Sequence, residues 1–313
     1  MTTVIHQVTL ASDEHFGGKL PPHFLGMFLA ELPSVIRGAV AMALSNRSVP
    51  KGKGPAWLDR AADIRFVDHQ GNGNTTLFFE APQLGQAAHE CYHPGERWGS
   101  RPEPDSTAFD LLGKVLHEVE VQNTDSDHFD TPLLKRLVRF QKVFQGPFRE
   151  AAFQSQQPGD SSRLNLDVVN TAAKLCSDTP LPKRIRLVGA LAHVDPSNQT
   201  LGLRLNDCQE VQGALLEGQA HDLASLLNQQ VLVFGKAVYR ASGRVLRLDI
   251  DGFRTATPQD SFFSQLPAPT GTKIKADGLF QGQPRKKGIQ TLFGKWPGDE
   301  TDEQIEAAFR ELG

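Results

Sequence analysis

The sequence predicts an α+β protein with an N-terminal α/β region, a small β-barrel and an amphipathic helical tail at the C-terminus. Three observations support this prediction. Helical and extended patterns are mixed over residues 1–153, and strand-like alternation dominates residues 183–257. A helical spacing of apolar residues then returns in the last eighteen residues.

The N-terminal region begins with a strand predicted over residues 4–10. Pro22 then opens an apolar helical stretch. We expect Pro33 to break it, because proline removes a backbone hydrogen bond inside a helix. A second apolar helix is predicted over residues 35–43. These two helices are apolar enough to form a core or a dimer seam.

A β-hairpin is predicted next, because two extended runs, 64–67 and 75–80, flank the turn Asn72-Gly73. The pattern then predicts two helices, at 107–123 and 131–142. A strand is predicted at 144–153, followed by a third helix at 165–177.

Polar residues with Pro and Gly at 154–162 are typical of a linker. We therefore expect a first domain at 1–153, followed by a linker and helix at 154–182.

Between residues 183 and 257 the sequence predicts three strands, a short helix and two further strands. This order in so short a segment resembles an OB-like barrel, a five-stranded fold used to bind oligonucleotides. Other small β-barrels give the same order of elements. Residues 258–313 are expected to form an extended spacer and a partner-binding tail.

Composition limits the possible functions. A net charge of −3 and a pI near 6.4 argue against an entirely basic nucleic-acid-binding surface, although local basic patches are compatible with them. Three widely spaced cysteines, Cys91, Cys176 and Cys208, do not suggest a disulfide framework. No signal peptide or run of about eighteen apolar residues is evident, so we expect a cytoplasmic protein that makes no membrane contact.

Basic and aromatic residues on the predicted barrel strands form the candidate nucleic-acid site, with Tyr239 as a base-stacking platform. The candidates are Arg204, Lys236, Tyr239, Arg240, Arg244 and Arg247, and Arg184 and Arg186 add to the same basic character. Single-stranded nucleic acid or DNA would be the ligand. Because seven acids nearly balance nine bases between 183 and 255, a mixed solvated surface or a protein-binding role is the alternative.

The sequence gives no candidate catalytic residues, cofactor or metal site. His89, Cys91 and His93 have the alternate spacing of metal ligands in an extended segment, but no second ligand pair is visible. The run from Asp125 to Asp130 begins like a calcium loop without its glycine, and helix capping explains it better. No nucleophile elbow, phosphate loop or zinc-protease motif is present, which leaves an enzyme assembled from dispersed residues as a third alternative.

The C-terminal tail, residues 296–313, contains six acids and one arginine. Four apolar residues fall at helical spacing and form one stripe: Ile305, Ala308, Phe309 and Leu312. A helix this short is marginal alone, so the stripe predicts a partner surface, either on another protein or on the body of this chain.

Residues 293–305, Phe-Gly-Lys-Trp-Pro-Gly-Asp-Glu-Thr-Asp-Glu-Gln-Ile, resemble the C-terminal signature of bacterial antitoxins encoded beside PIN-domain ribonuclease toxins. The resemblance covers 13 of 313 residues. It implies that the tail wraps a metal-dependent PIN-type ribonuclease, with Trp296 and the apolar stripe in contact. It also implies that Arg310 or Lys295 enters the toxin's active site. Such antitoxins usually carry an N-terminal DNA-binding dimer, which has no obvious counterpart here, although a homodimer is compatible with the sequence.

The leading hypothesis is therefore a non-enzymatic, antitoxin-like protein that inhibits a PIN-type ribonuclease through its tail. The second is a nucleic-acid-binding adaptor that uses the OB-like barrel. The third is an unrecognised enzyme in the N-terminal region.

Overall fold

The computed structural model describes residues 2–14, 16, 19–92, 101–154, 161–195, 199–215, 223–266 and 269. All of them belong to the first of two compact units, Met1–Thr272. The predicted helical tail falls outside the described residues.

Ten strands and seven α-helices lie within the described residues. The strands are β1 Thr3–Ser12, β2 Arg65–Asn72, β3 Asn74–Pro82, β4 Phe148–Gln154, β5 Ser161–Asn165, β6 Lys183–Asp195, β7 Thr200–Arg204, β8 Glu210–Ala214, β9 Gln230–Tyr239 and β10 Val245–Thr255. The α-helices are α1 Pro22–Ser45, α2 Ala56–Ala61, α3 Leu84–Ala87, α4 Ala108–Glu120, α5 Thr131–Val138, α6 Gln141–Phe144 and α7 Leu166–Asp178. This mixture confirms the α+β class.

The first lobe, residues 2–178, contains an antiparallel sheet of five strands in the order β2-β3-β1-β4-β5. Strand β1 alternates between buried and more exposed positions, and its inward residues Val8 and Leu10 join the helices in one core. Part of the predicted linker, 155–160, lies outside the described residues. The chain after it supplies β5 at the sheet edge and α7, which packs against α5.

The expected break at Pro33 was wrong, because α1 runs without interruption from Pro22 to Ser45. An internal proline costs a helix roughly 3 kcal/mol. Pro33 lies on the exposed side of α1, whereas Leu32, Val35 and Ile36 beside it are almost completely buried. Burial of these large side chains offsets the lost hydrogen bond, since each contributes about 1.5–3 kcal/mol.

Helix α1 is also long and apolar enough, by length and composition, to cross a membrane. This differs from the expectation that the chain has no such segment. In the structure 56% of the apolar window is buried, and α1 is the central helix of the first lobe. Its apolar composition is therefore accounted for by packing.

The predicted hairpin is confirmed. Strands β2 and β3 pair antiparallel as far as Asn72 and Asn74, and Gly73 between them has a φ of +83°. Glycine adopts this left-handed conformation without the steric penalty of a side chain.

Residues 183–255 form a closed barrel with the strand order β10-β8-β7-β6-β9. All neighbouring strands are antiparallel except β8 and β10, which run parallel. Alternate side chains point inward and form a core separate from that of the first lobe, which includes Leu187, Leu191, Leu203, Val233 and Ile250. The strands predicted from alternation are thus present.

A buried ion pair joins the barrel to the first lobe. Asp130 lies 3.1 Å from the Arg247 guanidinium of β10, and their side chains are 0% and 7% exposed. The same carboxylate accepts hydrogen bonds from the Ser48 backbone N–H, the Ser48 hydroxyl and the Leu133 N–H at the start of α5. We call Asp130, Arg247 and Ser48 the interlobe clamp.

Asp130→Asn should lower the free energy of unfolding by about 1–3 kcal/mol, because it removes one of the two carboxylates beside the buried Arg247 guanidinium and weakens the hydrogen bonds that Asp130 accepts, while Asp249 remains 3.0 Å from Arg247. Asp59→Asn is the matched control. Asp59 pairs with Arg37, but the side chains are 66% and 36% exposed, so the expected loss is about 0–1 kcal/mol. Urea denaturation of the two variants measures both changes. Equal losses would contradict the special role of the clamp.

Candidate nucleic-acid interface

The candidate site lies on the outer surface of strands β6 and β9. These strands pair antiparallel, with Arg184 opposite Lys236 and Arg186 opposite Phe234. Because side chains alternate along a strand, Leu187 points into the barrel core while Arg184 and Arg186 point outward. We call Arg184, Arg186, Lys236 and Phe234 the basic face.

Phe234 of β9 pairs with Gly252 of the neighbouring strand β10, and its ring lies over that glycine. A Cβ atom at Gly252 would overlap the Phe234 ring. Glycine therefore leaves room for the ring to lie close to the β10 backbone, where it remains 43% exposed. The ring is thereby positioned as a partly open aromatic surface beside the three cations.

Arg184 and Lys236 are like charges directly opposite each other, an arrangement that destabilises a sheet. Asp249 of β10 lies directly opposite Lys236 and also pairs with Arg247, while Asp251 pairs with Lys51 and Asp260 with Arg254. Among the described residues, no ion pair joins Arg184, Arg186 or Lys236 to a carboxylate. Asp249 therefore balances part of the charge beside Lys236, and the three cations leave the basic face with a net positive charge that an anionic ligand would reduce.

Tyr239 lies inside the barrel and is 1% exposed. This corrects the expectation that it offers an open stacking platform. Alternation along β9 explains the result. Phe234 and Lys236 point outward, and Tyr239, three residues after Lys236, therefore points inward. Burial also raises the pKa of its hydroxyl.

Three of the predicted arginines are engaged within the protein. Arg247 belongs to the interlobe clamp. Arg240 pairs with Asp127, and Arg244 lies 2.7 Å from Asp125. These last two pairs hold the β9–β10 turn against the first lobe, and the Ser242 hydroxyl and Arg244 keep the pKa of the Asp125 carboxyl low. Their guanidinium groups are thus already neutralised by carboxylates.

The two remaining basic candidates are exposed. Lys236 belongs to the basic face. Arg204 lies on β7 directly opposite Glu210, so a carboxylate partly balances its charge. Of the cations named from the sequence, Lys236, Arg184 and Arg186 therefore lie together on the basic face.

A cleft of 1090 Å³ separates part of the barrel from the first lobe. Its walls carry both signs of charge, including Lys114, Arg240, Glu103 and Glu210. The arginines in it are bound to carboxylates, as with Arg101 and Asp195 at 3.2 Å. A cleft whose walls carry both signs of charge does not favour an anionic polymer. The cleft is therefore the weaker candidate for a nucleic-acid site.

The described residues contain no group of three metal-ligating side chains suited to a metal ion. Cys91 is buried, and burial raises the pKa of its thiol to about 12, so it stays protonated near neutral pH. His93 lies outside the described residues. The predicted partner-binding and inhibitory residues also lie outside them: Trp296, Ile305, Ala308, Phe309, Leu312, Arg310 and Lys295.

Neither the family models, nor the curated proteins, nor the solved structures with which the chain was compared gave a match. The site is therefore interpreted from its own geometry. Sequence reasoning missed Phe234, although its position two residues before Lys236 placed both on one face of the strand.

Arg184→Gln should raise the free energy of unfolding by roughly 0.2–1 kcal/mol in low salt, because it removes the like-charged neighbour of Lys236. The gain should diminish in 1 M salt, where the Debye length falls to about 3 Å. Arg204→Gln is the control with the opposite sign, since its cross-strand neighbour is Glu210. Urea titrations at two salt concentrations test both, and a loss of stability in Arg184→Gln would show that its charge is compensated.

Proposed function

We propose that this protein is a non-enzymatic adaptor that binds single-stranded nucleic acid on the basic face of its barrel. The observation that carries the proposal is the cross-strand pair Arg184–Lys236 beside an exposed aromatic ring. The cations suit the phosphate backbone, and Phe234 offers a surface on which a base can stack.

The connectivity of the barrel supports an OB-like assignment. After the meander β6-β7-β8, the chain crosses so that β9 pairs with β6, and β10 closes the barrel between β9 and β8. This is more complex than an up-and-down barrel, and OB folds are small five-stranded Greek-key barrels. OB folds commonly bind ligands on their second and third strands. Here Gln212 on the third strand accepts a hydrogen bond from Asn46 of the first lobe, so we assign the ligand to β6 and β9 instead.

A single strand fits the site better than a duplex. Bases in a duplex are stacked on one another, whereas those of a single strand can stack on aromatic side chains. A flexible strand can also follow the curvature of the barrel from Arg186 to Lys236. We therefore expect sequence-tolerant binding.

The test is fluorescence anisotropy of the full chain with a labelled single strand of about 12 nucleotides, within the roughly 4–16 nucleotides that one OB barrel covers. With three cations on the backbone, log K against log salt should have a slope of about −2, and the double variant Arg184→Gln/Lys236→Gln should reduce it to about −0.7. Phe234→Ala should weaken binding by about 1–3 kcal/mol.

The matched control is Lys135→Gln/Lys142→Gln, which removes two exposed charges from the helices of the first lobe. It should leave the slope almost unchanged. Equal effects of the two double variants would indicate non-specific attraction to any cation. No binding in low salt would overturn the proposed function.

We propose a second role for the C-terminal tail, as an antitoxin-like segment that binds and inhibits a PIN-type ribonuclease. The support comes from the sequence, where the acidic apolar stripe coincides with the signature at residues 293–305. A nucleic-acid-binding body joined to an inhibitory tail would give this long chain the two activities that the resemblance implies for shorter antitoxins.

Ile305→Asp/Phe309→Asp should weaken capture of a PIN-type ribonuclease encoded beside this chain by at least about 100-fold, since each buried anchor contributes about 1.5–3 kcal/mol. Calorimetry with the purified ribonuclease measures this loss. Arg310→Gln is the matched variant, because it should preserve capture and raise residual ribonuclease activity. Lys295→Gln is tested in the same way in case the peptide binds in the opposite direction. Unchanged affinity of the double variant would refute the role of the tail.

A further inference from the structure

A short turn follows the barrel and folds back onto strand β6. The Ala256 N–H donates to the Gln230 carbonyl, and residues Pro258–Phe263 then form a 3-10 helix. The chain continues to Leu266, which packs against the barrel core. The turn is therefore anchored to the barrel on both sides.

Asp260 locks the shape of this turn. It completes a capping box with Thr257, and its two carboxylate oxygens accept hydrogen bonds from both terminal nitrogens of Arg254, at 2.8 and 2.6 Å. The Arg254 guanidinium, together with Thr257, keeps the pKa of the Asp260 carboxyl far below its usual range. Asp260 therefore remains ionised throughout the ordinary pH range, and its hydrogen bonds with Arg254 and Thr257 are kept.

The turn brings two phenylalanines to the basic face. The guanidinium of Arg186 lies over the Phe263 ring, 5.8 Å from its centroid, which fixes the turn beside β6. Successive side chains of a 3-10 helix point about 120° apart, so Phe262 cannot share that contact. Phe262 is instead 90% exposed, the largest exposure among the large apolar side chains that the structure describes.

Single exposed apolar residues are common on protein surfaces and carry no meaning by themselves. Phe262 differs because its backbone is fixed by an ion pair and a capping box, and because the residue after it contacts a cation of the basic face. A rigid, amphipathic or aromatic surface loses little conformational entropy when a ligand covers it. The arrangement thus combines an exposed ring on a fixed backbone with neighbouring positive charge.

We propose that Phe262 is a second base-stacking platform, and that the locked turn extends the nucleic-acid site beyond Phe234. This inference rests on the proposed function, because it assigns a further binding residue to the same site. Arg186 lies opposite Phe234 and over the ring of Phe263, the residue that follows Phe262. A strand bound here would place its backbone near Arg186 and stack separate bases on the two exposed rings. Asp260 is a positioning residue that holds Phe262.

The test is a double-mutant cycle that combines a substitution in the protein with removal of one base from the nucleic acid. The affinity of the full chain is measured for a single strand of about 12 nucleotides and for a series in which one base at a time is replaced by an abasic site. Phe262→Ala should lower the affinity for the intact strand by about 5-fold or more, the lower limit for stacking of one base. With one particular abasic strand the effect should fall below about 2-fold.

Variants that keep or move the ring complete the test. Phe262→Tyr should retain the affinity, and Asp260→Asn should lower it with the same dependence on base position as Phe262→Ala. Phe66→Ala, an exposed phenylalanine of β2 in the first lobe, is the matched control and should have no effect.

The outcomes separate the two proposals. If Arg184→Gln/Lys236→Gln weakens binding but Phe262→Ala does not, the second platform is wrong and the proposed function stands. If Phe262→Ala weakens binding to every abasic strand by the same factor, the ring acts through the fold and the platform is again wrong. If no strand binds at all, the proposed function fails and this inference fails with it.

Discussion

The carboxylate of Asp130 connects three parts of the chain that are far apart in sequence. It caps helix α5, holds the segment after α1 through Ser48, and pairs with Arg247 of the barrel. Because both charged side chains are buried, separating the two lobes would leave charges without partners in a poorly solvated environment or require their hydration. The clamp thereby couples the first lobe and the barrel, together with the pairs Arg240–Asp127 and Arg244–Asp125.

Two groups of barrel arginines differ in their surroundings. Arg240, Arg244 and Arg247 face carboxylates of the first lobe and contribute to its attachment. Arg184 and Arg186 project from the outer surface of β6, where the neighbouring acids are engaged elsewhere. A like-charge pair such as Arg184–Lys236 costs a sheet stability, and a bound anionic ligand would remove that cost.

Much of the fold could be predicted because its signals are local. The hairpin followed from the Asn72-Gly73 turn, and the barrel strands followed from alternation. Alternation also implied that Tyr239 lies on the opposite face from Lys236, but it does not by itself tell which face is inside. The continuous helix through Pro33 depends on tertiary packing that outweighs a local preference. The ion pairs between Asp125 and Arg244 join residues 119 positions apart, and no local pattern specifies such a pairing.

The same reasoning explains why net charge was a poor guide to the candidate site. Counted along the sequence, the acids and bases of the barrel nearly cancel, which favours a mixed surface without specificity. Counted by contact, Asp249, Asp251 and Asp260 each pair with a cation, and three exposed cations, Arg184, Arg186 and Lys236, lie together on β6 and β9. Electrostatic attraction of a polymer depends on this local field within about a Debye length, and much less on the total charge of the chain. A protein that is acidic overall can therefore present a basic face to nucleic acid, provided that its carboxylates are committed to internal partners first.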